Sequence, residues 1–177
     1  MANGYCPKSL VAFDYNSILG PDNALDALDV AVDALLTTSG AAQVDMLGHS
    51  LGGAVGYSYQ SDPTRAAKVR RYVHVASGAS EGPADSDTPM LNLVSTNDLI
   101  VADNVGIAGA DDVFLTEEDH YAVATSEAAF IEVFTFLNGA APEVTNWSLG
   151  ERTILAGKAL TFAENVPLSG GTVTLWE

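Results

Sequence analysis

A short apolar run, Val44-Asp45-Met46-Leu47, passes straight into Gly48-His49-Ser50-Leu51-Gly52-Gly53, and Ala54 to Gln60 follows with helical character. The run reads as a buried strand. A strand that becomes a helix within so few residues must turn sharply, and glycines on either side of the apex permit the turn. The serine at the apex is then lifted above the sheet edge, with the helix N-terminus aimed at the same point. That placement exposes the Ser50 hydroxyl as a nucleophile and positions the backbone N–H of Leu51 to donate to an oxyanion. G-x-S-x-G alone is common by chance; the strand before it and the helix after it give it weight. The competing reading is an ordinary glycine-rich turn that binds phosphate. No G-K-[ST] follows and no G-x-G-x-x-G is present to support it. Small residues at Gly52, Gly53, Ala54 and Gly56 are expected to let the helix lie close on the sheet.

The rest of the chain alternates in the same way. Leu10 to Asp14, Val69 to Ala76, Met90 to Ser95 and Val113 to Leu115 read as further short strands. Between Ala24 and Leu36, apolar residues recur at helical spacing, with Asp26, Asp29 and Asp33 on the other face. Asp22 or Asn23 would cap that helix, and Ser39-Gly40 would stop it. Ala128 to Leu137 reads as an apolar-faced helix ended by Asn138-Gly139. Strands alternating with helices imply a mostly parallel sheet covered on both faces, a three-layer α/β domain over residues 1–140. The texture then changes. Over 141–177, Ile154-Leu155, Leu160 to Phe162 and Thr172 to Trp176 alternate like strands between glycines, Asn165 and Pro167. This segment is too short to bury a core of its own. It reads as the opening strands of a truncated accessory β-domain, or as a β-appendage packed on the main one.

A serine nucleophile needs a base, and the base an orienting acid, in the chain order Ser, Asp or Glu, His. The sequence holds three histidines. His49 lies inside the turn and cannot easily face the hydroxyl. His74 lies mid-strand, where a satisfied structural histidine is the better reading. His120 follows the Val113–Leu115 strand and Asp98 follows the Met90–Ser95 strand, and ligand sites of open α/β sheets collect at such C-terminal ends. Position and elimination make His120 the base. Asp98 is preferred as the acid over Asp103 and Asp119, its alternative being a turn-capping role. Glu117-Glu118-Asp119-His120 reads as a solvated loop with one catalytic member rather than as a metal set, and Asp111-Asp112 as surface charge or a cap.

Charge narrows the function classes. Seven Lys+Arg against 23 Asp+Glu give a formal net charge of −16 over 177 residues. A nucleic-acid backbone needs a basic face, and anionic lipid head groups are likewise disfavoured. No apolar run is long enough to span a membrane. The acidity reads as a solvated surface or as adaptation to high salt, and three lysines against fourteen aspartates are compatible with the latter. The single Cys6 rules out an internal disulfide framework and a cysteine-built zinc site. Met1 to Ser9 show no signal-peptide pattern.

At these residues the chain resembles the α/β-hydrolases, and more closely the small lidless bacterial lipases and esterases. Asn97-Asp98-Leu99-Ile100-Val101 and Asp119-His120-Tyr121-Ala122-Val123 resemble that family's acid and base segments. Leu10 to Ser17, a helix, and Val44 to Gly53 resemble its stretch leading to the nucleophile, so that the likeness covers roughly residues 3–139. The resemblance implies a catalytic triad of Ser50, Asp98 and His120, with the Leu51 N–H as first oxyanion donor. It implies hydrolysis of carboxylic esters, small-molecule or lipid, without a cofactor, in a secreted protein. Acyl transfer or amide hydrolysis on the same triad, and an inactive fragment or binding module, stand as alternatives. A β-rich tail after a hydrolase domain is similar to some archaeal and actinobacterial lipases, where it is thought to assist lipid binding.

One departure stands out. The family has an earlier strand and a His-Gly-containing loop that supplies the second oxyanion N–H, and nothing of that kind precedes Leu10. In the family that strand lies between the counterparts of Leu10–Asp14 and Val44–Leu47. The chain thus looks truncated at the front as at the back. Either the sheet lacks that strand, or Leu10–Asp14 shifts into its place and brings the Tyr15-Asn16-Ser17 backbone to the oxyanion site. Gly78 to Pro89 is too short and polar for a bulky cap, so Ser50 is expected to be open. Leu99, Ile100, Tyr121 and Val123 would line an acyl chain or pack into the core.

Overall fold

Val44–His49 (β1), Val69–Val75 (β2), Met90–Ser95 (β3) and Asp111–Leu115 (β4) pair in parallel, in the order β1-β2-β3-β4. The structure, a computed structural model, describes residues 3–78, 82, 85, 87–102, 105–145, 159–161, 166–172 and 174. The helices are Leu25–Ser39 (α1), Leu51–Gln60 (α2), the single turn Pro63–Ala66 (α3) and Glu127–Asn138 (α4). This is a mixed α/β core with a four-strand parallel sheet.

Alternation along β2 divides the core in two. Tyr72 faces Leu28 and Val32 of α1 and Val55 and Tyr59 of α2, in one cluster with Val44, Val69 and Met90. Val73 and Val75 face the other way, with Leu91, Leu93, Val123 and Ala129, against Val133, Phe136 and Leu137 of α4. The second layer stops at β2. On that side of β1, Leu47 is 53% exposed, and Asp45 forms an ion pair with Arg70.

The helix ends follow local chemistry. Ser126 caps α4 by accepting from the Ala129 N–H at 3.1 Å, and Gly40 and Gly139 close α1 and α4 in the left-handed conformation. The expected cap of α1 is different. Neither Asp22 nor Asn23 caps it: a 3₁₀ turn over Pro21–Ala24 leads into α1 without a side-chain cap, and Asn23 donates instead to the Leu19 carbonyl.

Leu10 to Asp14 is not a strand. Among the described residues β1 is an edge of the sheet, and residues 10–16 form no ladder with it. An extended segment becomes a strand only when a neighbour exchanges hydrogen bonds with it. Here Phe13 and Tyr15 stack 5.9 Å apart and pack on the first core, while Leu10 and Val11 are exposed. The shift that would bring Tyr15-Asn16-Ser17 to the oxyanion site therefore does not occur as a strand pairing. In the C-terminal segment Leu160 pairs antiparallel with Pro167, and the Thr161 N–H donates to the Val166 carbonyl at 2.9 Å. Ile154-Leu155, Phe162 and most of Thr172 to Trp176 lie outside the described residues.

Of Gly48 at the end of β1 and Gly52, Gly53 and Gly56 on α2, three enforce contact and one does not. A Cβ on Gly48 would fall on the Gly52 carbonyl, one on Gly53 would sit 2.5 Å from Ser77 Cβ, and one on Gly56 2.6 Å from the Tyr72 ring. A Cβ on Gly52 would meet nothing within 4 Å. Gly48→Ala is expected to lower stability by about 3 kcal/mol, because the obstruction is backbone that cannot give way. Gly52→Ala should leave stability unchanged or raise it by up to ~1 kcal/mol through helix propensity. Urea midpoints at constant m-value separate the two; equal effects would refute the contact argument.

His74 has the structural role expected of it. It is buried, and its Nδ1–H donates to Asn92 Oδ1 at 3.0 Å. The Asn92 amide in turn donates to the Val105 carbonyl at 2.9 Å and to Asp112 Oδ1 at 2.8 Å. Asp112, on β4, also accepts from the Ile107 N–H at 3.0 Å, so it is a member of this network rather than mere surface charge. Burial lowers the His74 pKa, and the bond to Asn92 only partly opposes this. The unfolded chain takes up this proton near pH 6.5 and the folded chain resists it, so stability is complete above that pH and falls as the solution is acidified. Denaturant midpoints measured from pH 7 to pH 5 should therefore decline, and His74→Gln should flatten the decline. An unchanged slope in that variant would remove His74 as its cause.

Candidate active site

Ser50 occupies the junction of β1 and α2 at φ 53° and ψ −125°, a conformation that costs a non-glycine residue about 1–3 kcal/mol. Two bonds hold it there. Its N–H donates to the Val75 carbonyl at 2.9 Å, extending the β1–β2 ladder, and its carbonyl accepts from the Gly53 N–H at 2.9 Å. α2 begins at the next residue, so the Leu51 N–H is one of the helix's initial donors that lack an intrahelical acceptor. The macrodipole of α2 adds partial positive charge at the same point. Ser50 is half-buried and Leu51 is exposed.

Asp98 lies in the turn after β3, and its side chain is only 1% exposed. Its two oxygens have different work. Oδ1 accepts from the Ile100 and Val101 N–H groups at 2.8 and 2.9 Å, and Oδ2 accepts from His120 Nδ1 at 2.7 Å. Asp98 thus closes its own turn through one oxygen and holds the His120 ring through the other. Burial pushes the Asp98 carboxyl up, but the Val101 N–H, the His120 ring and the Ile100 N–H together outweigh it and hold the group below the usual aspartate range.

His120 is buried, at the end of the loop that follows β4. That loop is fastened to the end of β3. Ser95 Oγ donates to the Glu118 carbonyl at 2.7 Å, the Thr96 N–H to the Leu115 carbonyl at 3.0 Å, and Asn97 to the Thr116 carbonyl. Asp119, the rival acid, uses Oδ1 to accept from the Tyr121 and Ala122 N–H groups at 2.9 and 2.8 Å, whereas the His120 ring is bonded to Asp98. Asp103, the other rival, lies outside the described residues. Glu117 to His120 form no metal set, and among the described residues no three His, Cys, Asp or Glu side chains gather as one.

The structure thus brings Asp98 and His120 into direct contact and sets His120 against the turn that carries Ser50. The contact runs through His49, whose Nε2–H donates to the His120 carbonyl at 2.8 Å and whose ring lies 4.7 Å from that of His120. Among the described residues no hydrogen bond joins the Ser50 hydroxyl to His120; such bonds are often long before substrate arrives. Sequence reasoning misses His49, and its adjacency to Ser50 is the only signal that could point to it. Around the site Leu99 (97%), Ile100 and Tyr121 are exposed, whereas Val123 is fully buried in the second core and is no part of a rim. Val123 lies in the 3₁₀ turn Ala122–Ala124, and its N–H donates to the Asp119 carbonyl at 3.1 Å.

The fold is a mixed α/β one built on a four-strand parallel sheet, with Ser50 at the junction of β1 and α2 and with Asp98 and His120 beyond the ends of β3 and β4. Solved structures agree. A predicted CIB-like hydrolase from Thermoplasma acidophilum superimposes with a TM-score of 0.51 at 16% identity, over 70% of this chain and 62% of its own. A gene product of Listeria innocua does so with a TM-score of 0.51 at 17% identity, over 71% of this chain and 70% of its own. Both are likenesses of fold, and the chain spans about 62% of the length of the first. No family model matches the chain, and no curated protein matches it in sequence. Among the described residues no helix is long and apolar enough to cross a membrane.

Proposed function

We propose that the protein is a serine hydrolase that cleaves carboxylic esters through Ser50, His120 and Asp98. The observation that carries this reading is the 2.7 Å bond from His120 to a buried Asp98, set beside a serine in a strained conformation at a helix N-terminus. A buried carboxylate on Nδ1 places the histidine's remaining lone pair on Nε2, the nitrogen that must take the serine proton. In the first step the Ser50 Oγ–carbonyl bond forms while its proton passes to His120 Nε2. The Leu51 N–H stabilises the tetrahedral oxyanion. The ester C–O bond then breaks, and the alcohol leaves with the proton from His120. Water, deprotonated by His120, releases the acid and regenerates Ser50.

The exposed Leu99, Ile100 and Tyr121 support an apolar acyl group as the part of the substrate nearest the triad. On this reading residues 1–140 carry the chemistry, and 141–177 belong to an accessory β-rich unit. Incubation with a fluorophosphonate probe and short p-nitrophenyl esters tests the proposal. Covalent labelling of Ser50 with release of p-nitrophenol is the expected result. A folded protein that neither labels nor turns over ester is no hydrolase.

A further inference from the structure

We propose that His49 is a positioning residue, whose Nε2–H bond to the His120 backbone carbonyl holds the base against the nucleophile turn. The proposal rests on the triad reading of Ser50 and His120. Its warrant is the distribution of hydrogen bonds around the base. Ser95, Asn97 and Asp98 all tie the His120 loop to β3 and the turn after it. Ser50 stands at the end of β1, two strands away. Among the described hydrogen bonds only that of His49 joins this loop to β1, across 71 residues of sequence.

Asp98 fixes the rotation of the His120 ring, but a ring correctly rotated on a loop displaced by about an ångström still fails to receive a proton from Ser50. The residue immediately before the nucleophile is well placed to prevent that displacement, because it moves with Ser50. A backbone carbonyl only accepts, so the proton of the His49 ring sits on Nε2. Burial lowers the pKa of His49, which favours the neutral ring beside the one that must become cationic during catalysis. Side-chain packing alone would not need this donor, since an apolar ring could fill the same volume.

The experiment compares the parent with His49→Phe, which keeps a ring and removes the donor, and His49→Gln, which keeps an N–H at similar reach. Labelling rates with the fluorophosphonate, kcat and KM on a p-nitrophenyl ester, and histidine ¹H–¹⁵N spectra are recorded for each. His49→Phe should lose ~10- to 100-fold in labelling rate and kcat with KM unchanged, and the His120 ring signals should shift or broaden. His49→Gln should recover to within about threefold of the parent, with His120 signals restored. Equal rates in His49→Phe and the parent, or equal losses in both variants, would overturn the proposal. If the parent does not label at all, the spectra still decide: His120 signals disturbed by phenylalanine and restored by glutamine keep the positioning role while the hydrolase reading fails. Should His49→Phe not fold, the parent spectrum suffices, because an unprotonated Nε2 on His49 would by itself refute the bond.

Discussion

Ser50→Ala is expected to abolish fluorophosphonate labelling and to lower ester turnover on the order of 10⁵-fold, with no loss of stability. The reasoning begins with what the serine does in each state. On the proposed mechanism the Oγ supplies the bond that divides hydrolysis into two easier steps, and removing a triad nucleophile typically forfeits nearly everything the triad contributes. In the folded protein the hydroxyl contributes little. The junction is held by backbone bonds from Ser50 to Val75 and from Gly53 to Ser50, which alanine keeps. Alanine also keeps the strain of φ 53°, so Ser50→Gly should be the more stable of the two, by up to about 1 kcal/mol. Turnover assays on both, beside thermal melts, check this. A substantial residual rate in Ser50→Ala would show that another group attacks the ester.

Asp98→Asn should lower kcat by about 10⁴-fold while leaving the fold in place, and the reason lies in the two occupied oxygens. Oδ1 faces two N–H donors, Ile100 and Val101, so an asparagine at this position must keep its carbonyl oxygen there. Its NH₂ group then faces His120 Nδ1 and requires that nitrogen to accept. The proton moves to Nε2, where it blocks transfer from Ser50. The effect is one of tautomer and not of geometry, and it distinguishes orientation by Asp98 from mere proximity. The same substitution alters acid stability. The folded carboxyl lies below the usual aspartate range, so its ionised form contributes stability that is present above about pH 4 and lost as pH falls through the folded value. The amide that Asp98→Asn introduces cannot titrate, and that part of the acid transition should vanish with the carboxyl. Turnover within about tenfold of the parent would mean that His120 has another orienting partner.

The parts of the fold that are legible in the sequence are those whose residues carry their reason locally. β3 reads at its observed bounds, Met90–Ser95, because an apolar run between two loop signals leaves no other choice. β1, β2 and α4 read to within two residues at each end, and α2 reads as starting three residues late, since Leu51-Gly52-Gly53 is a poor helix opening by propensity alone. Leu10–Asp14 looks like the same kind of segment and is not one. Its apolar residues are equally β-prone, but a strand is a relation between two segments, and among the described residues no neighbour pairs with this one.

The candidate site divides in the same way. The placement of Ser50, Asp98 and His120 at the C-terminal ends of β1, β3 and β4 is legible because a turn motif, strand ends and chain order constrain them independently. The structure brings two of them into contact and sets the third on the adjoining turn. The contacts of His49 and Asp112 and the burial of Val123 are not legible, because each depends on a contact between segments far apart in sequence. No periodicity or spacing records such a contact. The buried His74 reads correctly from the bare fact that it sits within an apolar strand.

The division of labour within one carboxylate has a further consequence. With Oδ1 closing the turn after β3 and Oδ2 held by His120, ordering of that loop and alignment of the His120 ring are a single event. The loop cannot close without presenting an acceptor to the imidazole, and it cannot open without letting the imidazole go. The orientation of the His120 ring is in this way acquired on folding and surrendered on local melting, and no separate adjustment intervenes between a folded loop and an oriented ring.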